Sequence, residues 1–215
     1  MFDLKLSNLI YKANVDSLIT LSDETLQRNA DQNIENLILS MQSANEEQSA
    51  DLSIFERAKH LANIDWLFLN SIFISVFSYF EYHLFALSKI VEGRSKSKIK
   101  IEDISGSGIL QYMKYLHLVG QIEIIDKGRH DMQIIQKFRK TRNALVHQGN
   151  NLISDPNKVL QNHELYDFLT SEEVTLAGSL GHIRLRNTKL LKTFGETTFF
   201  ISDSLIQHIE GKFPE

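Results

Sequence analysis

One stretch of the sequence, "KFRKTRNALVHQGNN" (residues 137–151), combines residue types that could do chemistry on a phosphate. Arg139, Asn143 and His147 are spaced four residues apart, so a helix would place them along one face. A guanidinium neutralises a phosphate with a planar fork of donors, and an imidazole can give or take a proton near neutral pH. An amide beside the imidazole can fix its orientation. These are the groups that phosphodiester cleavage requires.

Positive charge is concentrated around this stretch. From Lys127 to His147 the sequence has six Lys or Arg and one acid, in a chain whose formal net charge is −4. A solvated helix face is the ordinary interpretation of such a charge run. Binding to a nucleic-acid backbone is the alternative, and it makes Lys137, Arg139 and Lys140 the candidate RNA-binding residues.

The position of the second arginine sets a geometric condition. Arg142 lies beside Arg139, but Arg142 and His147 are five residues apart, which is a rotation of about 140° on a regular helix. Both can face one small ligand only if the helix frays before Gly149 or if a second copy of the chain contributes.

Two segments resemble the HEPN domain superfamily. "RNALVH" (residues 142–147) is similar to its arginine–polar–three–histidine motif, and "SVFSYFEYHLFALSKI" (residues 75–90) resembles the aromatic helix with an embedded Glu that often precedes it. The resemblance covers roughly residues 60–150. It implies a helical bundle that dimerises through the motif helices and is frequently a metal-independent ribonuclease of toxin or antiviral defence systems. It also implies that Arg142 holds the scissile phosphate, His147 handles the proton, and Asn143 is the polar motif position.

The sequence departs from one branch of this superfamily. Toxins paired with a nucleotidyltransferase antitoxin usually carry a tyrosine two residues after the histidine, which the partner modifies. Gly149 occupies that position here, so the resemblance does not extend to this form of control.

Glu81 lies within the most apolar predicted helix, where an unpaired carboxylate would be costly. Three explanations remain open from the sequence: Glu81 lies at the exposed edge of the helix, pairs with a cation of the fourth helix, or supports the catalytic groups by orienting them.

Helical periodicity dominates the first 155 residues, which contain no proline. Ser22, followed by two acids, predicts a helix start, and the polar residues 43–51 predict a loop. A second helix is predicted from Ser53 to Glu92, stopped by Gly93, with a kink or break near residues 62–65. Its apolar stripe consists of Trp66, Leu69, Phe73, Val76, Phe77, Phe80, Leu84 and Leu87.

The rest of the chain predicts two further helices, a hairpin and a final helix. We expect a short helix within residues 108–120, a fourth helix from about His130 to Val146, and a small β-hairpin at about 172–186. The final helix is marked by an apolar ladder of Ile201, Leu205, Ile209 and Phe213. With no internal repeat or low-complexity linker, residues 1–215 are predicted to form one mainly α domain, a HEPN-like helical bundle with this hairpin near the C-terminus.

Several other classes of protein are not expected. The uncharged window at residues 66–80 is shorter than the roughly 20 residues that span a bilayer, so no membrane association is predicted. The chain has no cysteine, and its eight histidines lack the HxxxH and HExxH spacings, so no metal or other cofactor is expected. Phosphate-binding glycine loops and the GxSxG motif are also absent from the sequence. "RSKSKIK" (residues 94–100) is either a solvated loop or a second phosphate-contacting patch.

The sequence therefore predicts a cytoplasmic, metal-independent HEPN-type endoribonuclease that cleaves RNA by attack of the 2′-hydroxyl. We expect a toxin or antiphage defence effector, a homodimer through the motif helix, and an antitoxin or defence-system partner. The alternative is a non-catalytic HEPN-like module that binds nucleic acid, a nucleotide or a partner protein.

Overall fold

The computed structural model describes residues 4–43, 49–123 and 130–213, and this part of the chain is mainly helical. The helices are α1 (Leu4–Ser43), α2 (Ser49–Arg94), α3 (Ile109–Leu118), α4 (His130–His147), α5 (Tyr166–Ser171) and α6 (Lys189–Lys212). The strands β1 (Thr175–Ala177) and β2 (His182–Arg184) form one antiparallel hairpin, and short 3₁₀ turns lie at Ile101–Asp103 and Leu160–Asn162. The predicted fold class, mainly α with a small hairpin near the C-terminus, is confirmed.

The chain divides into two compact units, each assembled from segments that are distant in sequence. Unit 1 comprises Met1–Ser17, Ile74–Asn143 and Leu191–Glu215, and unit 2 comprises Leu18–Phe73 and Ala144–Leu190. The single domain expected over residues 1–215 stays a prediction.

The apolar stripe predicted for α2 is confirmed, because all eight of its residues are buried. The other side of the helix is polar or exposed, as at Ser71, Ser78 and Tyr79. α2 is therefore an amphipathic helix whose apolar face forms core. No helix among the described residues is long and apolar enough to cross a bilayer.

Phe194 of α6 is the centre of the core of unit 1. Its fully buried ring meets Phe138 of α4 edge-on, with ring centroids 5.0 Å apart. Phe80 of α2 also meets it edge-on at 5.9 Å, and Phe77 lies at the same distance in a tilted arrangement. Such pairs contribute about 0.5–1.5 kcal/mol each beyond their buried area. Three helices are thus fixed around one aromatic side chain.

A buried chain of polar groups attaches α1 to α2 and α6 in unit 1. The Ser202 hydroxyl donates to Asn8 Oδ1 at 2.6 Å, so it accepts from Nε2–H of His83, also at 2.6 Å. Tyr11 stacks on the His83 ring at 4.5 Å and donates to Thr198. Since a hydroxyl that donates elsewhere must accept from the imidazole, Nε2 of His83 carries a proton, which in the neutral ring selects the Nε2–H tautomer. Burial lowers the pKa of His83 to about 4.

This buried histidine makes the unfolding free energy dependent on pH. The unfolded chain takes up the His83 proton near pH 6.5 and the folded chain only near pH 4. Protonation therefore favours the unfolded state, and the contribution of His83 is complete above pH 6.5 and is lost as the pH falls towards 4. We expect the loss to reach about 3 kcal/mol.

Denaturant unfolding between pH 4 and pH 7.5 measures this effect. His83→Gln keeps an amide donor for Ser202 but cannot titrate, so its stability should fall less steeply with acid than that of the wild type. Parallel curves for the two proteins would contradict this assignment.

Neither Ser22 nor Gly93 has the role predicted for it in the first two helices. Ser22 does not begin a helix: it lies within α1, buried, and its hydroxyl donates to the Leu18 carbonyl at 2.7 Å. A serine whose hydroxyl donates to a carbonyl of the preceding turn has its hydrogen bond within the helix, so it can lie in the interior of a helix as well as at its start. Of the kink or break predicted near residues 62–65, the break is wrong, because α2 runs through these residues, and the kink stays a prediction. Its last residue is Arg94, so Gly93 lies within the final turn rather than stopping it.

The remaining elements agree closely with expectation. The third and fourth helices and the hairpin lie within or close to their predicted bounds, and Ile201, Leu205 and Ile209 are buried, whereas Phe213 follows the end of α6. The loop predicted at 43–51 falls largely on residues 44–48, which lie outside the described residues. α5 was not predicted, because six residues are too few to show a helical period.

Candidate functional site

α4 positions every residue of the candidate site except Glu81. Asp131 lies in its first turn, where an acid is favoured, and apolar residues at helical spacing are buried along it. Gly149 and Asn150 then adopt positive φ angles of 59° and 65°, which end the helix. The buried apolar residues are Met132, Ile135, Phe138, Ala144 and Leu145.

Arg142 and Asn143 are the last residues of α4 within unit 1. The Arg142 guanidinium is half-buried over the Phe77 ring, 6.0 Å from its centroid, and its Nη1 donates to Asn143 Oδ1 at 3.3 Å. A cation over an aromatic face is stabilised by about 0.5–2 kcal/mol, more as it loses water. α2 therefore holds the arginine of the motif in place, and the arginine is hydrogen-bonded to the next motif residue.

Lys137, Arg139 and Lys140 lie half-buried on the same part of α4. Arg139 Nε donates to the amide oxygen of Gln136 at 3.1 Å, which is a neutral partner. Half-buried cations of this kind cover apolar surface with their stems and keep the charged group at the surface. The arrangement is compatible with both a solvated face and contacts to an RNA backbone.

His147 is the last residue of α4 and belongs to unit 2. Its side chain is exposed, and the next residue, Gln148, still donates its N–H to the Ala144 carbonyl at 3.1 Å. Because α4 stays helical to His147, fraying does not bring the histidine round to the side of Arg142. The rotation of about 140° between positions five residues apart on a helix therefore applies.

The side chain of Glu81, a residue of α2, lies against the residue that precedes α3. Gly108, the residue before α3, has a positive φ of 57°, and a Cβ added there would clash with Glu81 Oε1. Burial and then the negative charge of Glu81 raise the pKa of Tyr112 in the first turn of α3. A carboxylate is favoured at a helix N-terminus, which accounts for a half-buried acid on α2. Its supporting role in catalysis stays a prediction.

A glycine comparison tests this packing. Gly108→Ala should lower the unfolding free energy by about 1–2 kcal/mol, because it adds a Cβ at a left-handed position and displaces Glu81. Gly93→Ala is the control, since nothing lies within 4 Å of an added Cβ there. It should be neutral or slightly stabilising.

Chemical denaturation of both variants, alone and combined with Glu81→Ala, provides the measurement. Removing Glu81 should recover part of the loss in Gly108→Ala, whereas its effect should simply add to that of Gly93→Ala. Additive effects in both pairs would show that Glu81 does not contact Gly108 in solution.

No group of three or more His, Asp or Glu suited to hold a metal ion occurs among the described residues.

Sequence reasoning missed the residues His182 and Arg184 of β2. Both are half-buried in unit 2, close to Trp66 of α2. The available signal was the alternation in "HIR". Ile183 is buried between two half-buried residues that can carry positive charge, which places both of them on one face of the strand.

Comparison of the chain with protein-family models, with curated proteins and with solved structures gives no match. The HEPN resemblance therefore depends on the motif and on the aromatic helix alone.

Proposed function

We propose that the chain is a HEPN-type endoribonuclease that cleaves RNA without a metal ion. One observation carries the proposal: the Arg142–Asn143–His147 motif is complete on a helix that extends to its histidine, with Arg142 half-buried over Phe77. The exposed imidazole of His147 can reach a bound strand, while the guanidinium is held by α2. Residues merely covering a surface would not require this combination.

The proposed reaction uses the RNA as its own nucleophile. The 2′-hydroxyl attacks the adjacent phosphorus, the bond from phosphorus to the 5′-oxygen breaks, and a 2′,3′-cyclic phosphate and a 5′-hydroxyl form. One imidazole takes the proton of the 2′-hydroxyl, and a second gives a proton to the leaving 5′-oxygen. Arg142 offsets the negative charge that develops on the phosphoryl oxygens, and Asn143 holds Arg142.

Two histidines on opposite sides of one phosphate require two chains. A two-fold axis beside α4 would bring two copies of Arg142 and His147 to a shared cleft. Arg142 of one chain and His147 of the other could then face the same phosphate, although the two residues of one chain are rotated about 140° apart on the helix. The two basic helices would repel each other, so apolar contacts of neighbouring helices must hold the dimer. Exposed Tyr79 and Tyr82 on α2 provide apolar surface of this kind. A bound RNA phosphate would relieve the repulsion.

The biological role follows from the resemblance. We propose a cytoplasmic toxin or antiphage effector, controlled by an antitoxin or another defence-system partner. Lys137, Arg139 and Lys140 would bind the RNA backbone on either side of the cleavage point.

The first test compares two histidines of the same helix. His147→Ala should reduce RNA cleavage at least about a hundredfold, since proton transfer contributes 10²–10⁴-fold, while RNA binding persists. His130→Ala, which removes the exposed histidine at the other end of α4, should leave the cleavage rate unchanged. Gel analysis of a labelled RNA in the presence of chelator measures both rates. Cleavage by His147→Ala at the wild-type rate would remove His147 from the mechanism.

The second test concerns the composite site. A 1:1 mixture of wild type and His147→Ala, allowed to exchange subunits, should show about a quarter of the activity of the same total amount of wild type, because only dimers with two histidines cut and subunits pair at random. His130→Ala in the same mixing experiment is the control. A retained activity of about one half, together with a monomeric mass in sedimentation, would show that each chain acts alone.

A non-catalytic binding module is the second candidate. The net charge of −4 favours it, and the contact of Arg142 with Phe77 is compatible with both candidates, because it would also stabilise a helix that serves only as a scaffold. Persistent RNA binding without any cleavage by wild-type protein would select this alternative.

A further inference from the structure

The β-hairpin of unit 2 presents His182 and Arg184 on one face. These residues alternate with buried Ile183, and their cross-strand partners are Ala177 and Thr175. Because both partners are short, the two longer side chains extend beyond them on that face. A histidine and an arginine two positions apart on a strand can contact the same anion.

The β2 strand is held along the edge that faces away from β1. Asn70 of α2 donates to the Ile183 carbonyl at 3.1 Å and accepts from the Leu185 N–H at 3.3 Å. On the same edge, the Ile183 N–H donates to the Asn150 carbonyl at 2.7 Å, just beyond α4. His182 and Arg184 therefore lie on a strand whose backbone is held by hydrogen bonds, and not on a free loop.

Trp66 of α2 forms the base of this face. The Arg184 guanidinium lies over the Trp66 ring, 5.5 Å from its centroid, and the His182 ring meets the indole edge-on at 5.0 Å. Since Trp66 is buried, it acts as a fixed surface that holds both side chains.

The charge of Arg184 is not balanced within the described part of the chain. No ion pair joins it to a carboxylate there, and its buried Nε has no hydrogen-bond partner. Burial, and then the positive charge of Arg184, lower the pKa of His182. An anion bound between them would compensate the arginine and give the imidazole a partner.

This face lies next to the segment that follows His147. His182 Nδ1 is 3.3 Å from Asn151 Oδ1, and the Asn151 N–H donates to the carbonyl of Gln148, the residue after His147. With Nδ1–H donated to Asn151, Nε2 of His182 donates to an anion only when the ring is protonated, a form that a bound anion itself would favour.

We propose that His182 and Arg184, supported by Trp66, bind a backbone phosphate of the RNA strand beside the bond that is cleaved. The inference rests on the proposed ribonuclease function and adds a phosphate subsite to it. A phosphate suits the site because its oxygens accept from the planar guanidinium fork and from an imidazole together. The strand connects successive phosphates, so occupation of this subsite would place the next one near the end of α4.

The test measures binding apart from cleavage. A short fluorescent 2′-O-methyl RNA cannot be cut by 2′-hydroxyl attack, and its anisotropy gives the affinity at several salt concentrations. Arg184→Met keeps the aliphatic packing on Trp66 but removes the charge, and should weaken binding about tenfold and reduce the salt slope by about 0.7. Lys158→Met removes an exposed cation elsewhere in unit 2 and should change neither quantity.

A second variant covers the case in which Arg184→Met unfolds. His182→Asn keeps a donor for Asn151 but removes Nε2, and should weaken binding about threefold. Wild-type affinity and salt slope in Arg184→Met, or wild-type affinity in His182→Asn if the first variant does not fold, would overturn the subsite. A lower melting temperature without loss of affinity has the same meaning, since Arg184 then only stabilises the hairpin.

The outcomes separate this inference from the proposed function. Cleavage by wild type with unaffected binding in the variants leaves the ribonuclease and removes the subsite. Binding that depends on Arg184 without any cleavage of unmodified RNA keeps the subsite and removes the ribonuclease. Absence of RNA binding by wild type overturns both.

Discussion

The position of α4 in unit 1 depends on the aromatic contacts of Phe194. The Phe138 ring of α4 and the Phe77 and Phe80 rings of α2 all pack on it, with centroids within 5.9 Å. Phe138 lies one helical turn before Arg142, and Phe77 is also the ring beneath the Arg142 guanidinium. The core that joins the helices thus also positions the cation of the motif. Loss of this packing would move Arg142 even if every polar residue were kept.

The helical period imposes the second constraint on the candidate site. Because α4 is regular to His147, its motif cannot direct the arginine and the histidine of one chain to the same side of the helix. In the proposed mechanism, a second copy of the chain would therefore complete the site. A shared RNA phosphate would then also compensate the cations that a chain of net charge −4 concentrates on one helix.

The sequence was sufficient for those parts of the fold that a periodic pattern records. The stripe from Trp66 to Leu87 predicted the buried face of α2, and the predicted end of α4 at about Val146 is one residue from its observed end at His147. Ser22 misled because a serine can bond to the preceding turn as well as cap a helix. Contacts across the fold were not predictable. That α3 begins against Glu81, and that Arg184 and His182 meet Trp66, depends on residues brought together only by packing.

The chemistry of the cleaved ends tests the central claim most directly. Purified protein is incubated in excess chelator with an RNA–DNA chimera that has a single 2′-hydroxyl, and the masses of the products are measured by mass spectrometry. If the 2′-hydroxyl is the nucleophile, we expect one cut, after the ribonucleotide, that leaves a 2′,3′-cyclic phosphate and a 5′-hydroxyl. Products with a 5′-phosphate, or cuts at positions that lack a 2′-hydroxyl, would show that water attacks the phosphate and would contradict the proposed mechanism.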